Sequence, residues 1–405
     1  MTEPPPSSAS AEEISSWQLL PLVMLVTGMG ILGFSILAPA LPDLADSLGV
    51  SSSAIGVVQG AVAVPGIFLA PYIGYLTDRW GRRRVVRISL LIFGTAGTAC
   101  FFATDYWTLV ALRVTQGLGT SALLSLGVVV IGDQYRGNRR RWALGINMAA
   151  LTATATLAPI LGGFLAEGGT YRPFLVFLLA FPVFVAARHL PEPDDLPTPA
   201  PPLQHLGGAL AHLRRHGRLS DFIGILPVSV ITLGVYLGLG LTVTPLLLES
   251  RFGLTVSQRG LIQAIGSAAS SIASLMSGRV GRWFPPARVI GTTFVLMVVG
   301  FVAVGSAPSL WMLGSGLGIL GLATGLMFPL LQGFSASAGP ARYRGVLVGT
   351  WVSANRVGQF VGPATGTVVA GAVGNQAVYF YGAAVMAVVA AVWSPLRRKA
   401  ARREA

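Results

Sequence analysis

Charge is what this sequence has least of. Only 11% of its 405 residues are Asp, Glu, Lys or Arg, whereas a soluble domain carries roughly 25%, so an ordinary water-facing surface is excluded. Acids are scarcer than bases, 15 against 28, and none lies near the middle of an apolar stretch. A single cysteine, Cys100, excludes an internal disulfide and a thiolate metal site. No nucleophile–base set, metal cluster or phosphate loop can be assembled, so an enzyme is not expected. Residues 1–16, MTEPPPSSASAEEISS, lack the basic start of a secretory leader and read as a disordered tail.

What fills the chain is apolar. Hydrophobic residues make up 53% and the mean hydropathy is +0.69. Apolar stretches fall near 17–39, 54–76, 87–104, 107–131, 142–166 and 171–190, then near 222–248, 257–281, 287–307, 310–334, 345–372 and 376–395. A helix needs about 20 such residues to cross about 30 Å of hydrocarbon. Lipid offers no partner to free backbone groups, and these runs are too long and continuous for barrel strands. The expected fold is an all-α polytopic membrane protein of 12 transmembrane helices. Its division is a tail (1–16), a six-helix bundle (17–190), a linker (191–221), a second six-helix bundle (222–395) and a basic tail (396–405). The 51 glycines suit helices that approach closely in lipid.

A net charge of +13 does not point to nucleic acid, because the cations sit in short clusters between apolar stretches. All but five of the 28 fall on one side when the loops are taken alternately; the exceptions are Arg113, Arg172, Arg251, Arg259 and Arg356. The positive-inside rule makes that side cytoplasmic, with both termini inside a plasma or inner membrane. In the linker, PEPDDLPTPAPP cannot be helix interior. The following LQHLGGALAHLRRHG puts Leu203, Leu206, Leu210 and Leu213 on one face, as in a helix lying on the membrane surface. His212 and His216, at i and i+4, have a ligand-like spacing but no carboxylate or thiol nearby, and read as solvated.

The halves repeat at an offset of 204 residues. Gly145 and Pro159 fall on Gly349 and Pro363, and Gly117 and Thr120 on Gly321 and Thr324. Parallel six-helix repeats are a transporter design, with substrate bound between the halves at mid-depth.

Between the second and third stretches stands Gly74-Tyr75-Leu76-Thr77-Asp78-Arg79-Trp80-Gly81-Arg82-Arg83-Arg84. It resembles motif A of the major facilitator superfamily, G-x-L-x-D-R-x-G-R-R, at every defining position. The resemblance implies that Asp78 meets the start of the eleventh helix, near Val346 to Gly349, when the cytoplasmic side closes; a helix N-terminus carries about half a positive charge. The second half keeps only a trace, with Gly281 in the acid's place. Arg113, followed by Gln116-Gly117, resembles motif B, whose arginine the family links to proton coupling, and by resemblance Asp133 would pair with Arg82. Gly33, Pro39 and Pro42 match the helix-one signature of twelve-helix drug:proton antiporters. The antiporter motif C is degraded in the fifth helix (Gly145, Thr154, Ala158, Pro159, Gly162, Gly163) and better kept in the eleventh (Gly349, Gly358, Gly362, Pro363, Gly366). These stripes serve packing and bending.

Without a central acid, the expected cavity is cationic and amide-lined: Arg113, Gln116, Asn147, Gln263, Gln332, Asn355, Arg356 and Gln359. That suits anionic or zwitterionic amphiphiles better than lipophilic cations, although Arg356 has an alternative place in the cytoplasmic gate. The expected function is proton-coupled efflux of small amphipathic compounds by alternating access. Asp78, Asp133 and Arg113 are candidates for proton coupling. The energy source is the proton gradient, with no bound cofactor or metal, and the partners are substrate and membrane lipid, the protein acting as a monomer. A metabolite uptake symporter and a flippase for lipid or anionic amphiphiles are alternatives on the same fold.

Overall fold

A computed structural model describes residues 9–191, 202–340 and 343–404. Most of the proline-rich linker and the first half of the N-terminal tail lie outside the described residues. Twelve membrane helices follow in order: α1 (Leu19–Ser47), α2 (Ser52–Trp80), α3 (Arg82–Phe102), α4 (Tyr106–Gln134), α5 (Gly137–Glu167), α6 (Arg172–His189), α7 (Leu219–Phe252), α8 (Val256–Trp283), α9 (Pro286–Ser306), α10 (Leu310–Ser337), α11 (Arg344–Val373) and α12 (Val378–Glu404). Ten are long and apolar enough to cross a membrane outright; α11 is more polar, and α12 is apolar over Val378–Trp393. The helix containing α1 already starts at Ala9, and α12 runs on past the expected boundary at 395. No strand occurs among the described residues.

The helices overrun their apolar stretches into the basic connections. Arg82, Arg83 and Arg84 are the first turn of α3, and a single residue, Gly81, joins α2 to it. Its φ of +84° is open to glycine and costly for other residues, which is why motif A needs glycine there. The end carrying these arginines is called the basic end below, and the opposite one the far end. Exposed tryptophans stand near both, Trp80, Trp142 and Trp283 at the basic end and Trp107 and Trp311 at the far end, like the aromatic belts of membrane proteins.

Each half has its own core. Phe93, Phe174 and Phe177 are wholly buried in the first, and Phe294, Phe301 and Tyr379 in the second. The linker helix (Pro202–Arg215) docks on α7, α11 and the basic end of α2. It buries Ala209 and Leu213 in the second core, so these residues face protein where the sequence reading placed a leucine stripe against lipid. His212 and His216 stack at 4.1 Å between ring centroids, beside Tyr343.

The 204-residue repeat is a two-fold in space. A Cβ on Gly117 of α4 would strike the carbonyl of Val62 in α2; one on Gly321 of α10 would strike Gly266 of α8. Across the halves, Gly56 of α2 lies on the Pro363 carbonyl of α11, and Gly260 of α8 lies on the Pro159 carbonyl of α5. The 204-residue offset relates the first contact to the second (117 to 321, 62 to 266) and, with the halves exchanged, the third to the fourth (56 to 260, 363 to 159). The glycine–proline stripes are therefore where the halves touch, and only glycine permits so close an approach.

Candidate transport pathway and gates

Breaks in α1, α2 and α7 gather several of the buried polar groups. In α1, Pro39 has no N–H to continue the ladder, so the last regular bond runs from Ile36 N to Leu32 O at 3.3 Å. The next two carbonyls are satisfied by side chains: Arg113 Nη2 donates to Gly33 O at 2.8 Å, and Gln59 Nε2 to Phe34 O at 2.7 Å. In α2, just before Pro65, Ala63 N donates to Gly60 O at 2.8 Å. The carbonyl freed at Val58 receives Arg113 Nε at 3.3 Å. Arg113 Nη1 donates to Gln116 Oε1 at 2.7 Å. A charged arginine deep in a membrane helix costs about 2.5–3.5 kcal/mol even on the lenient insertion scale. Here its three nitrogens are all bonded and its side chain is 0% exposed. Arg113 is built into the first half and lines no open cavity.

The second half repeats the device. Its α7 carries a π-turn over Tyr236–Val243, and Gln263 Nε2 donates to Leu241 O there at 2.9 Å. Gln263 is Gln59 plus 204. Gln59 was missing from the sequence reading, and the repeat offset is the signal that finds it.

The other amides are dispersed. Asn147 of α5 is buried and accepts from Thr27 Oγ1 of α1 at 2.8 Å. Gln332 is exposed near the basic end of α10. Asn355 is buried in α11, with Oδ1 unpartnered. Arg356 Nη1 donates to Gln359 Oε1 at 2.7 Å, and its side chain crosses from α11 onto Gly66 of α2, within 3.0 Å of where a Cβ would stand. The eight residues grouped in one cavity by sequence thus divide. Arg113 and Gln116 lie inside the first bundle, Arg356 and Gln359 lie at the seam between bundles, and Asn147 and Gln263 hold helices together within their own halves.

At the basic end, Arg82 forms an ion pair with Asp133 of α4, joining the start of α3 to the end of α4. Arg83 Nε ties the same turn to Leu190 O at 2.8 Å, and the exposed Arg79 reaches Tyr75 Oη at 2.9 Å. Asp78 lies half-buried near Arg82. Among the described residues it makes no hydrogen bond or ion pair with α11; the resemblance implies that contact for the state closed at this end. Gly349 rests on Pro71, about two turns short of Asp78, while Gly74, Gly145, Gly278 and Gly345 face open space.

The far end is closed, by groups the sequence reading did not connect. Arg259 of α8, 2% exposed, reaches Asp43 of α1 at 2.6 Å and Glu249 of α7 at 3.5 Å. Glu167 of α5 accepts hydrogen bonds from Ser257 and, at 3.3 Å, from Thr255. Ala40, Ala166 and Val256 form a small apolar seal from both halves. Thr367 of α11 donates to Ser53 O of α2 at 2.7 Å. The halves meet tightly at the far end, while at the basic end Asp78 makes no bond to α11.

The Major Facilitator Superfamily sequence profile matches residues 23–278 and again 228–405. The chain belongs to the major facilitator superfamily. Relatives span nearly the whole of this major facilitator. It is 27% identical over 360 residues to the bacillibactin exporter of Bacillus subtilis (strain 168), covering 85% of this chain and 86% of the relative. It is 26% identical over 379 residues to the multidrug resistance protein MdtG of Salmonella choleraesuis (strain SC-B67), covering 90% and 92%. Among solved structures, the human organic anion transporter MFSD10 superposes with a TM-score of 0.71 at 22% identity, covering 96% of this chain and 100% of that one. A bacterial homolog of the human lysosomal transporter Spinster, inward-facing and unoccupied, gives 0.74 at 17% identity, covering 95% and 97%. At these identities the two structures speak for the fold alone. The chain is thus a multi-pass membrane transporter of this superfamily.

Proposed function

We propose that this major facilitator is a proton-coupled exporter of small amphipathic compounds working by alternating access. The observation that carries it is the asymmetry of the seam: two-fold-related contacts, Gly56 on Pro363 and Gly260 on Pro159, hold the halves together at a far end sealed by Arg259, while the Asp78 latch at the basic end is unmade. Rocking about that seam would exchange the closed end for the open one. The positive-inside rule puts the basic end in the cytoplasm, with both termini there and the far end outside a plasma or inner membrane. In that orientation the conformation is ready to take up cytoplasmic substrate. The exporter and multidrug names of relatives that align over 85–90% of the chain support the outward direction.

Proton coupling is assigned to Asp78 and Asp133 at the basic end, bridged by Arg82; Arg113 supports it by holding the breaks of α1 and α2 in register. The proton gradient supplies the energy and no cofactor or metal is required. The protein acts as a monomer with its substrate and surrounding lipid. The test is dye accumulation in energised cells with and without expression, repeated with a protonophore. Lower accumulation that returns to control with the protonophore is expected; higher accumulation of every dye on expression would overturn the exporter reading.

A further inference from the structure

Three arginines lie buried within the helices, and their surroundings differ. Arg113 has all three side-chain nitrogens bonded to carbonyl oxygens of α1, α2 and Gln116. Arg259 has two acids, Asp43 and Glu249. Arg356 has one neutral amide, Gln359. It forms no ion pair among the described residues, and the sequence places no acid near the middle of any membrane helix. Its Nε and Nη2 make no hydrogen bond among the described residues, and the residue is 6% exposed. Those two donors are therefore left without a protein acceptor.

Position sharpens the contrast. Arg356 lies near the middle of α11, on the seam with α2, where the halves rock. Three residues away on the same helical face, Ser353 Oγ is buried without a partner. On the other side, Gly66 leaves room for the Arg356 stem; a Cβ there would stand 3.0 Å from both Cδ and Nε. Buried polar groups are ordinarily satisfied, and an unneutralised guanidinium with free donors is a ready partner for a carboxylate or similar oxyanion.

We infer that Arg356, with Ser353 beside it and Gly66 setting its position, holds the anionic group of the transported substrate. The ligand class is a small amphipathic organic anion, its charge on Arg356 and its apolar body among neighbouring helices. The inference rests on the exporter reading and adds to it a substrate class and a docking residue. An anionic lipid headgroup has the same chemistry; the soluble anion is favoured because the group sits on a seam between packed helices, where acyl chains have no place.

The test compares wild type with R356Q, R356K and G66A, each checked for monodisperse elution and unfolding temperature. Anisotropy of carboxyfluorescein reports binding in detergent, with ethidium as the cationic control; both dyes are then followed into proteoliposomes. Expected is about a tenfold or greater weakening of carboxyfluorescein binding in R356Q, the loss of charge-assisted hydrogen bonds, with ethidium unaffected. R356K should recover part of the affinity. G66A, which keeps the charge but displaces it, should weaken carboxyfluorescein binding alone. Unchanged carboxyfluorescein binding in a folded R356Q would overturn the inference, as would equal losses for both dyes. Arg356-dependent binding without transport of either dye would sink the export reading while leaving the site. Displacement of the dye by dihexanoyl phosphatidylglycerol but not by benzoate would make the headgroup the source of the anion and overturn the soluble-anion assignment.

Discussion

Arg259 Nη2 lies 2.6 Å from Asp43 Oδ2, an ion pair that joins the two halves across 216 residues of sequence. It is the charged part of the far-end closure. Arg259 is almost wholly buried while Asp43 keeps about a third of its surface, so the carboxylate is reachable from the far-end solvent and the guanidinium is not.

Asp43→Asn should therefore loosen the far end. Glu249 at 3.5 Å remains as a partial partner, and Asp43 is screened, so the cost is taken well below that of breaking a fully buried pair, at about 1–2 kcal/mol, or a factor of about 5–30 in the open population. Maleimide labelling of a cysteine at Ala40, buried in the apolar seal, in a Cys100→Ser background, should accelerate accordingly. An unchanged rate would show that the apolar seal alone keeps this end shut.

The seam makes a paired prediction. A Cβ at Gly56 or Gly260 would overlap a proline carbonyl of the other half, whereas one at Gly145 meets nothing within 4 Å. Gly56→Ala and Gly260→Ala should each lower stability by about 1–3 kcal/mol and slow transport by similar factors. Gly145→Ala should be neutral or slightly stabilising, by up to about 1 kcal/mol. Unfolding midpoints from fluorescence-detected chromatography would decide it, and a harmless Gly56→Ala would refute the two-fold contact.

For Arg113, the three bonds to Gly33, Val58 and Gln116 foretell a structural loss. Arg113→Lys has no fork with which to span the carbonyls and should cost about 1–3 kcal/mol, with transport falling in step. A variant of full stability but uncoupled transport would instead place Arg113 in the proton path itself.

Asp78→Asn should impair turnover while leaving dye binding largely intact, since Asp78 makes no hydrogen bond or ion pair with α11 in this conformation. Stopped-flow efflux against equilibrium anisotropy separates the two quantities. A matched loss in both would remove Asp78 from the gating role.

Arg82 and Asp133, paired at the basic end, give a charge-reversal test. Either Arg82→Asp or Asp133→Arg alone should depress transport, and the double reversal should recover part of it. Failure of the double variant while each protein remains folded would mean that the local field, rather than the pair, is what matters.

Much of this architecture was legible because lipid imposes local rules. Backbone groups in hydrocarbon must bond within their own segment, so apolar length marks most of the helices, and the 204-residue offset marks two related halves. Motif A was readable for a similar reason: Gly81 makes the turn by itself at a positive φ, and Arg82 needs only the neighbouring helix end to find Asp133. The glycine–proline stripes also announced close packing.

What the stripes touch was not legible. Gly56 meets Pro363, and Asp43 meets Arg259, only because two bundles fold separately and then associate, and no local pattern encodes that association. The two deep arginines looked alike in sequence, each three residues before a glutamine. Only the tertiary structure separates them: breaks in α1 and α2 place free carbonyls around Arg113, and none around Arg356. Hydrophobic length and repeat thus fixed the helices and their pairing by symmetry, while the choice between a structural cation and an available one was made by where helices break.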